Sequence, residues 1–76
     1  MTRKFRAVTI QFNRSRRCKI ANSGMAGLGV LPVEAGESLS GVPRYWTTEN
    51  GREVLDLFLS NGVVLIGIPV GAVEII

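Results

Sequence analysis

The sequence contains no histidine and only one cysteine, Cys18, among its 76 residues. One cysteine cannot form an intrachain disulfide, and one thiol without an imidazole leaves no ligand set for zinc or haem iron. Catalysis needs a positioned acid, base or nucleophile, and the six carboxylates are scattered among predicted loops and strand ends. We therefore predict a protein that is not an enzyme, has no cofactor and no metal, and works in a reducing, cytoplasmic setting.

Long hydrophobic runs are also missing. No apolar run approaches the roughly 20 residues that a membrane-spanning helix needs, although 46% of the residues are hydrophobic. No long segment has a 3.6-residue period, so we expect helix content close to a single turn. A chain of 76 residues has a thin core, and we predict that it forms a homo-oligomer to bury more apolar surface. The alternative is that Ile75 and Ile76 close the barrel against the first strand.

Acidic residues are absent from the first 33 positions, which carry seven basic side chains. The rest of the chain carries six acids against two arginines, so the net charge of +3 combines an N-terminal part at +7 with a C-terminal part at −4. Such asymmetry indicates either an anionic partner for one face or head-to-tail self-association.

The N-terminal part has the alternation of apolar and polar residues that is typical of strands. Residues 5–12 alternate and place Ile10 and Phe12 on an apolar face, which is the period of a half-buried strand. After a polar turn, residues 17–21 alternate again and place Cys18 inward as a small core residue. The two segments predict an N-terminal hairpin with a strongly basic tip.

Two Asn-Gly pairs, Asn50-Gly51 and Asn61-Gly62, are the strongest local signals, and each lies between strand-like runs. Asn-Gly accepts the positive φ angles that a tight two-residue hairpin requires. The turns predict a three-stranded meander over residues 44–68, which Pro69 ends because proline has no N–H for the ladder.

The remaining segments complete the predicted fold. Residues 30–33 contain a proline and suit an edge strand or an extended connection. Residues 34–41 are polar and predict a loop, and residues 73–76 are strand-like again. We therefore predict one all-β domain over residues 1–76. Its architecture is a small barrel of five or six strands, with antiparallel hairpins and at most one helical turn.

The C-terminal third resembles known families. Residues 65–76, LIGIPVGAVEII, are similar to the end of SH3-like barrels, where a strand runs into a Pro-Val 3₁₀ turn and a short last strand. The resemblance implies a small SH3-like barrel. Type II dihydrofolate reductases are such barrels, but Leu65-Ile66-Gly67-Ile68 replaces their valine-glutamine-isoleucine-tyrosine signature, so reductase activity is not implied. Residues 58–67 also resemble the first signature of Sm-like RNA-binding proteins.

Basic side chains at the predicted hairpin form the candidate binding site. Such a cluster can neutralise several phosphates, and two aromatic residues farther along the chain are available for base stacking. The residues predicted to contact an anionic partner are Arg6, Arg14, Arg16, Arg17, Lys19, Arg44, Tyr45 and Trp46. The pattern leaves open whether Trp46 lies in the core or at the surface.

The leading prediction is a non-enzymatic protein that binds nucleic acid through the basic hairpin. The alternative is an inhibitor or regulator, of the kind encoded by viruses or mobile elements, that docks on a larger host complex. Such a protein would bind an acidic protein surface through its basic tip. Alternatively, an unpaired apolar edge at residues 30–33 or 73–76 would pair with a sheet of the partner.

Overall fold

The computed structural model describes residues 6–22 and 28–76, which form one antiparallel sheet curled into a half-barrel. The predicted start of the first strand at residue 5 lies outside these ranges. Within them, no helix has the length and hydropathy needed to cross a membrane. The strands are β1 (Val8–Phe12), β2 (Arg16–Asn22), β3 (Leu28–Val33), β4 (Ser38–Thr47), β5 (Glu53–Phe58), β6 (Val63–Pro69) and β7 (Val73–Ile75), with a 3₁₀ turn at Val70–Ala72.

Neighbouring strands follow the order β3-β2-β6-β5-β4-β1-β7, which leaves β3 and β7 as the edges of the sheet. The predicted meander is confirmed, since β4, β5 and β6 are consecutive neighbours joined by hairpins. β7 returns to the first strand and places Ile75 opposite Ile10. The all-β fold with a single helical turn is confirmed, but the described residues contain seven strands rather than five or six.

β1 and β2 are consecutive along the chain but do not pair, so the predicted N-terminal hairpin is wrong. Both edges of β1 are occupied, by β4 and β7, and both edges of β2 are occupied, by β3 and β6. The segment between the two strands instead forms hydrogen bonds with other parts of the chain. The Asn13 amide donates to the Ala72 carbonyl at 2.9 Å, and the Gly36 amide donates to the Phe12 carbonyl, at the end of β1, at 2.8 Å. The link is therefore a corner between two parts of the curled sheet.

The two Asn-Gly pairs are confirmed as hairpin turns, although their geometry differs from the predicted one. Only the glycine of each pair has a positive φ, 82° at Gly51 and 89° at Gly62. In the first loop the Thr48 amide donates to the Arg52 carbonyl at 2.9 Å, which leaves three residues between them, and the second loop has the same pattern. Each loop is thus a three-residue connection that ends in a left-handed glycine.

β4 begins inside the stretch that was predicted to be a polar loop at residues 34–41. Leu39 pairs with Ile10, and Ser40 pairs with Thr9, whose hydroxyl oxygen lies 2.8 Å from that of Ser40. The loop is confirmed for residues 34–37, and the prediction is wrong for residues 38–41 because polar residues can occupy the solvent side of a strand, where they give no hydrophobic signal.

The core lies on the concave, inner face of the sheet. Its buried side chains are Ile10, Phe12, Cys18, Val33, Leu55, Leu57, Leu65, Ile68 and Val73. Cys18 is confirmed as a buried core residue. Burial raises the pKa of its thiol, and the nearby Arg16 guanidinium offsets part of that rise.

Candidate nucleic-acid interface

The convex, outer face of the sheet presents the side chains that alternate with the core. Across β2, β6, β5 and β4, Ala21 lies opposite Val64, Val64 opposite Phe58, and Phe58 opposite Val42. Directly opposed residues point to the same face of a sheet, so these four side chains form a continuous line, which we call the apolar row. Phe58 is 40% exposed and is the largest apolar surface in the row.

Beside the apolar row, basic and aromatic side chains line a groove of about 360 Å³, which we call the Trp46 groove. Arg17 and Lys19 project from the same face of β2, roughly 6.6 Å apart along the strand, and both are exposed. Ile66 lies opposite Lys19 on β6 and supplies an apolar part of the lining. The full lining is Arg16, Arg17, Lys19, Trp46, Ile66 and Gly67.

A β-bulge in β6 shapes this groove. Leu55 pairs with Ile68 and Leu57 pairs with Leu65, so one residue of β5 faces two residues of β6 between those pairs. One of the two is Gly67, whose φ of 68° is a left-handed conformation that glycine adopts without strain. The bulge turns the Gly67 amide toward the side chain of Asp56, the facing residue on β5.

Trp46 lies at the surface, 40% exposed, and not in the core. Its indole Nε1–H donates to Oδ1 of Asp56 at 2.9 Å, and the same oxygen accepts the Gly67 N–H at 2.9 Å. Asp56 therefore connects the indole to the backbone of β6 and restrains the orientation of the ring. Part of the ring surface stays accessible to solvent.

Four of the predicted contact residues come together in the Trp46 groove: Arg16, Arg17, Lys19 and Trp46. Arg16 differs from the other two basic residues because it shares the inner side of β2 with Cys18, and its Nε is buried without a hydrogen-bond partner among the described residues. Arg17 and Lys19 are therefore the two cations of the groove that are exposed to solvent.

The other four predicted contact residues do not line the groove. Arg44 is exposed and lies opposite Asp56 on the next strand. Tyr45 is 53% exposed, but its side chain lies on the opposite face of β4 from that of Trp46. Arg14 lines a separate depression at the corner between β1 and β2, and Arg6 precedes β1. The predicted basic cluster is split because the hairpin that would have united it does not form.

Sequence reasoning missed three residues of this site: Asp56, Ile66 and Gly67. An isolated glycine within an apolar strand is a known sign of a β-bulge, so the position of Gly67 was the available signal. Nothing in the sequence pairs Asp56 with Trp46, because that contact depends on the register of β4 against β5. Within the described ranges, no group of three histidine, cysteine, aspartate or glutamate side chains is placed to hold a metal ion.

In comparisons with known proteins, the chain matches no protein-family model, no curated protein and no solved structure. The resemblances to SH3-like barrels, type II dihydrofolate reductases and Sm-like proteins stay predictions from the sequence. The case for a function therefore depends on the geometry of the outer face.

Proposed function

We propose that this protein is a non-catalytic nucleic-acid-binding protein that contacts its partner through the Trp46 groove. The observation that carries the proposal is that Arg17 and Lys19, from β2, meet Trp46, from β4, in one surface groove. Cations that neutralise phosphates and an aromatic ring that stacks on bases are the two elements of sequence-tolerant nucleic-acid binding. Arginine adds bidentate hydrogen bonds to phosphate oxygens.

The acid beside the groove is compatible with this proposal. Oδ1 of Asp56 accepts two N–H groups, from Trp46 and from Gly67, and these hydrogen bonds hold the carboxylate in position. The carboxylate acts as a support for the indole, while Arg17 and Lys19 remain exposed to a polyanion.

The salt dependence of binding tests the proposal. Fluorescence anisotropy with a labelled oligonucleotide should give an affinity that falls steeply with salt, and Arg17→Ala with Lys19→Ala should flatten the log–log slope by about 1.4 on a single strand. The matched control is Arg6→Ala with Arg14→Ala, which removes the same charge outside the groove. Equal effects of the two double variants, or no binding at low salt, would contradict the proposal.

The apolar row supports a second candidate, self-association. An exposed Phe58 is flanked by half-buried aliphatic side chains on neighbouring strands, and contiguous exposed apolar surface is what protein interfaces cover. A small domain with a thin core gains stability when such a surface is covered. We propose that a second copy of the chain packs on the apolar row, which leaves the Trp46 groove at the margin of the interface.

Native mass tests the second candidate. Sedimentation should give a mass above 8.2 kDa, and Phe58→Ser should lower it toward that of one chain, whereas Tyr45→Ser, an equally polar change on the other face of β4, should not. A single-chain mass for the unmodified protein would exclude self-association. If a defined partner then survives nuclease treatment of a lysate and is lost with Phe58→Ser, the apolar row serves the alternative role of a protein-binding regulator.

A further inference from the structure

We infer that the Trp46 groove selects single-stranded over duplex nucleic acid, with one base stacked on Trp46 and neighbouring phosphates held by Arg17 and Lys19. This inference rests on the proposed nucleic-acid binding and specifies its substrate class. It follows from the restraint on the indole, the spacing of the cations and the shape of the surface.

The indole of Trp46 is preorganised for stacking in the unbound protein. Its Nε1–H is already bonded to Asp56, which is itself bonded to the backbone amide of Gly67. A ring held at its edge loses little conformational freedom when a base covers its face, so more of the stacking energy appears as affinity. A surface tryptophan without such a restraint would lose more entropy on binding.

The cations are spaced for an extended strand. Arg17 and Lys19 are two residues apart on β2, so their backbone positions differ by roughly 6.6 Å. This is comparable to the step between successive phosphates of an extended single strand. Ile66 lies between Lys19 and β5 and gives the groove an apolar patch on which the sugar or base edge of a nucleotide can rest.

The surface is unsuited to reading a duplex. The major groove of a duplex admits a helix or a two-stranded ribbon that projects into it, whereas Trp46 and the two cations lie across the strands of a curled sheet. In a duplex the bases stack on one another, so Trp46 has no base face to contact. A duplex therefore gains only the phosphate contacts, and a single strand gains the stacking contact as well.

The sole tryptophan of the chain provides a direct readout. Titration with short oligothymidylate or oligouridylate should quench Trp46 fluorescence as a base stacks on it, and the two arms compare DNA with RNA. Polyphosphate, which has charge but no bases, should compete for the groove with little quenching. A duplex of the same length should bind more weakly than the single strand and quench less.

Two substitutions at one position separate stacking from folding. Trp46→Leu keeps an apolar side chain above the buried Val54, which lies opposite position 46, but removes the aromatic ring. We expect it to weaken single-strand binding roughly 5- to 150-fold and to leave duplex and polyphosphate binding unchanged. Trp46→Phe keeps a stacking ring without the Asp56 bond and should fall between Trp46→Leu and the unmodified protein.

The outcomes distinguish failure of the single-strand inference from failure of the proposed nucleic-acid binding. If nucleic acid binds and Arg17→Ala with Lys19→Ala flattens its salt dependence, but Trp46→Leu changes nothing or a duplex binds as tightly, the single-strand inference is overturned and the proposed function stands. If no nucleic acid binds at low salt, both are overturned. Quenching by single strands together with a loss specific to Trp46→Leu supports both.

Discussion

The two faces of the sheet differ in burial: residues that are adjacent along a strand are buried on the inner face and exposed on the outer face. On β5, Leu57 is completely buried against the inner core, whereas the next residue, Phe58, is 40% exposed on the outer face. On β2, Cys18 is buried and its two neighbours, Arg17 and Lys19, are exposed. The inner face therefore determines stability, and the outer face, where apolar, basic and aromatic groups coexist, is the surface on which the proposed binding depends.

The largest contrast in stability should appear on β1. Ile10→Ala removes a fully buried side chain from the inner face and should lower the free energy of unfolding by about 2 to 5 kcal/mol. Thr9→Ala, one residue away, loses an exposed hydroxyl contact with Ser40 and should cost less than about 1 kcal/mol. Urea denaturation measures both, and similar losses would contradict the division into two faces.

Gly41 tests how closely the inner face is packed. A Cβ at this position would lie 2.6 Å from the Phe58 carbonyl oxygen and 3.0 Å from Cγ of Leu57, so β4 and β5 would have to separate. We expect Gly41→Ala to destabilise the fold by about 1 to 3 kcal/mol. Gly71→Ala is the control, because a Cβ there would meet nothing within 4 Å. A neutral Gly41→Ala in thermal denaturation would show that the strands are less tightly packed.

Asp56 links the outer face to the fold, and two substitutions separate its roles. Asp56→Ala leaves the part-buried Gly67 amide without its acceptor and should cost about 1 to 2 kcal/mol. Asp56→Asn keeps an acceptor oxygen and removes a negative charge at the margin of the Trp46 groove, so it should change stability less and tighten oligonucleotide binding. Denaturation and anisotropy are the measurements. Weaker binding by Asp56→Asn would mean that the carboxylate itself contacts the ligand.

The smallest effect concerns the pH dependence of the inner face. Because burial raises the pKa of Cys18 in the folded protein, folding favours the protonated thiol. This contribution to stability is complete below the ordinary thiol pKa of about 8.5 and is lost as pH rises above it. Unfolding free energies should therefore fall more steeply above that pH in the unmodified protein than in Cys18→Ala. Parallel curves would show that the thiol does not titrate differently on folding.

Local patterns were enough to predict the inner face and its turns. Alternation identified Ile10, Phe12 and Cys18 as core residues, and the Asn-Gly pairs located the hairpin turns of the meander. These features depend on neighbours along the chain, which a sequence displays directly.

The candidate site could not be predicted in the same way. It depends on the bulge at Gly67 and on which strands, distant along the chain, pair with each other. Each strand has two edges, and its own sequence does not specify which strand pairs with either edge. The predicted hairpin failed for this reason, and with it the grouping of Arg14 with Arg17 and Lys19. Trp46 could not be assigned to either face because its polar partner, Asp56, lies on another strand.

Amide chemical-shift mapping during titration with a single-stranded oligonucleotide tests the central claim most directly. The account predicts that the largest changes occur at the backbone amides of Arg17, Lys19 and Gly67 and at the indole N–H of Trp46. Changes centred on Arg14 at the β1–β2 corner, or no changes at low salt, would contradict it.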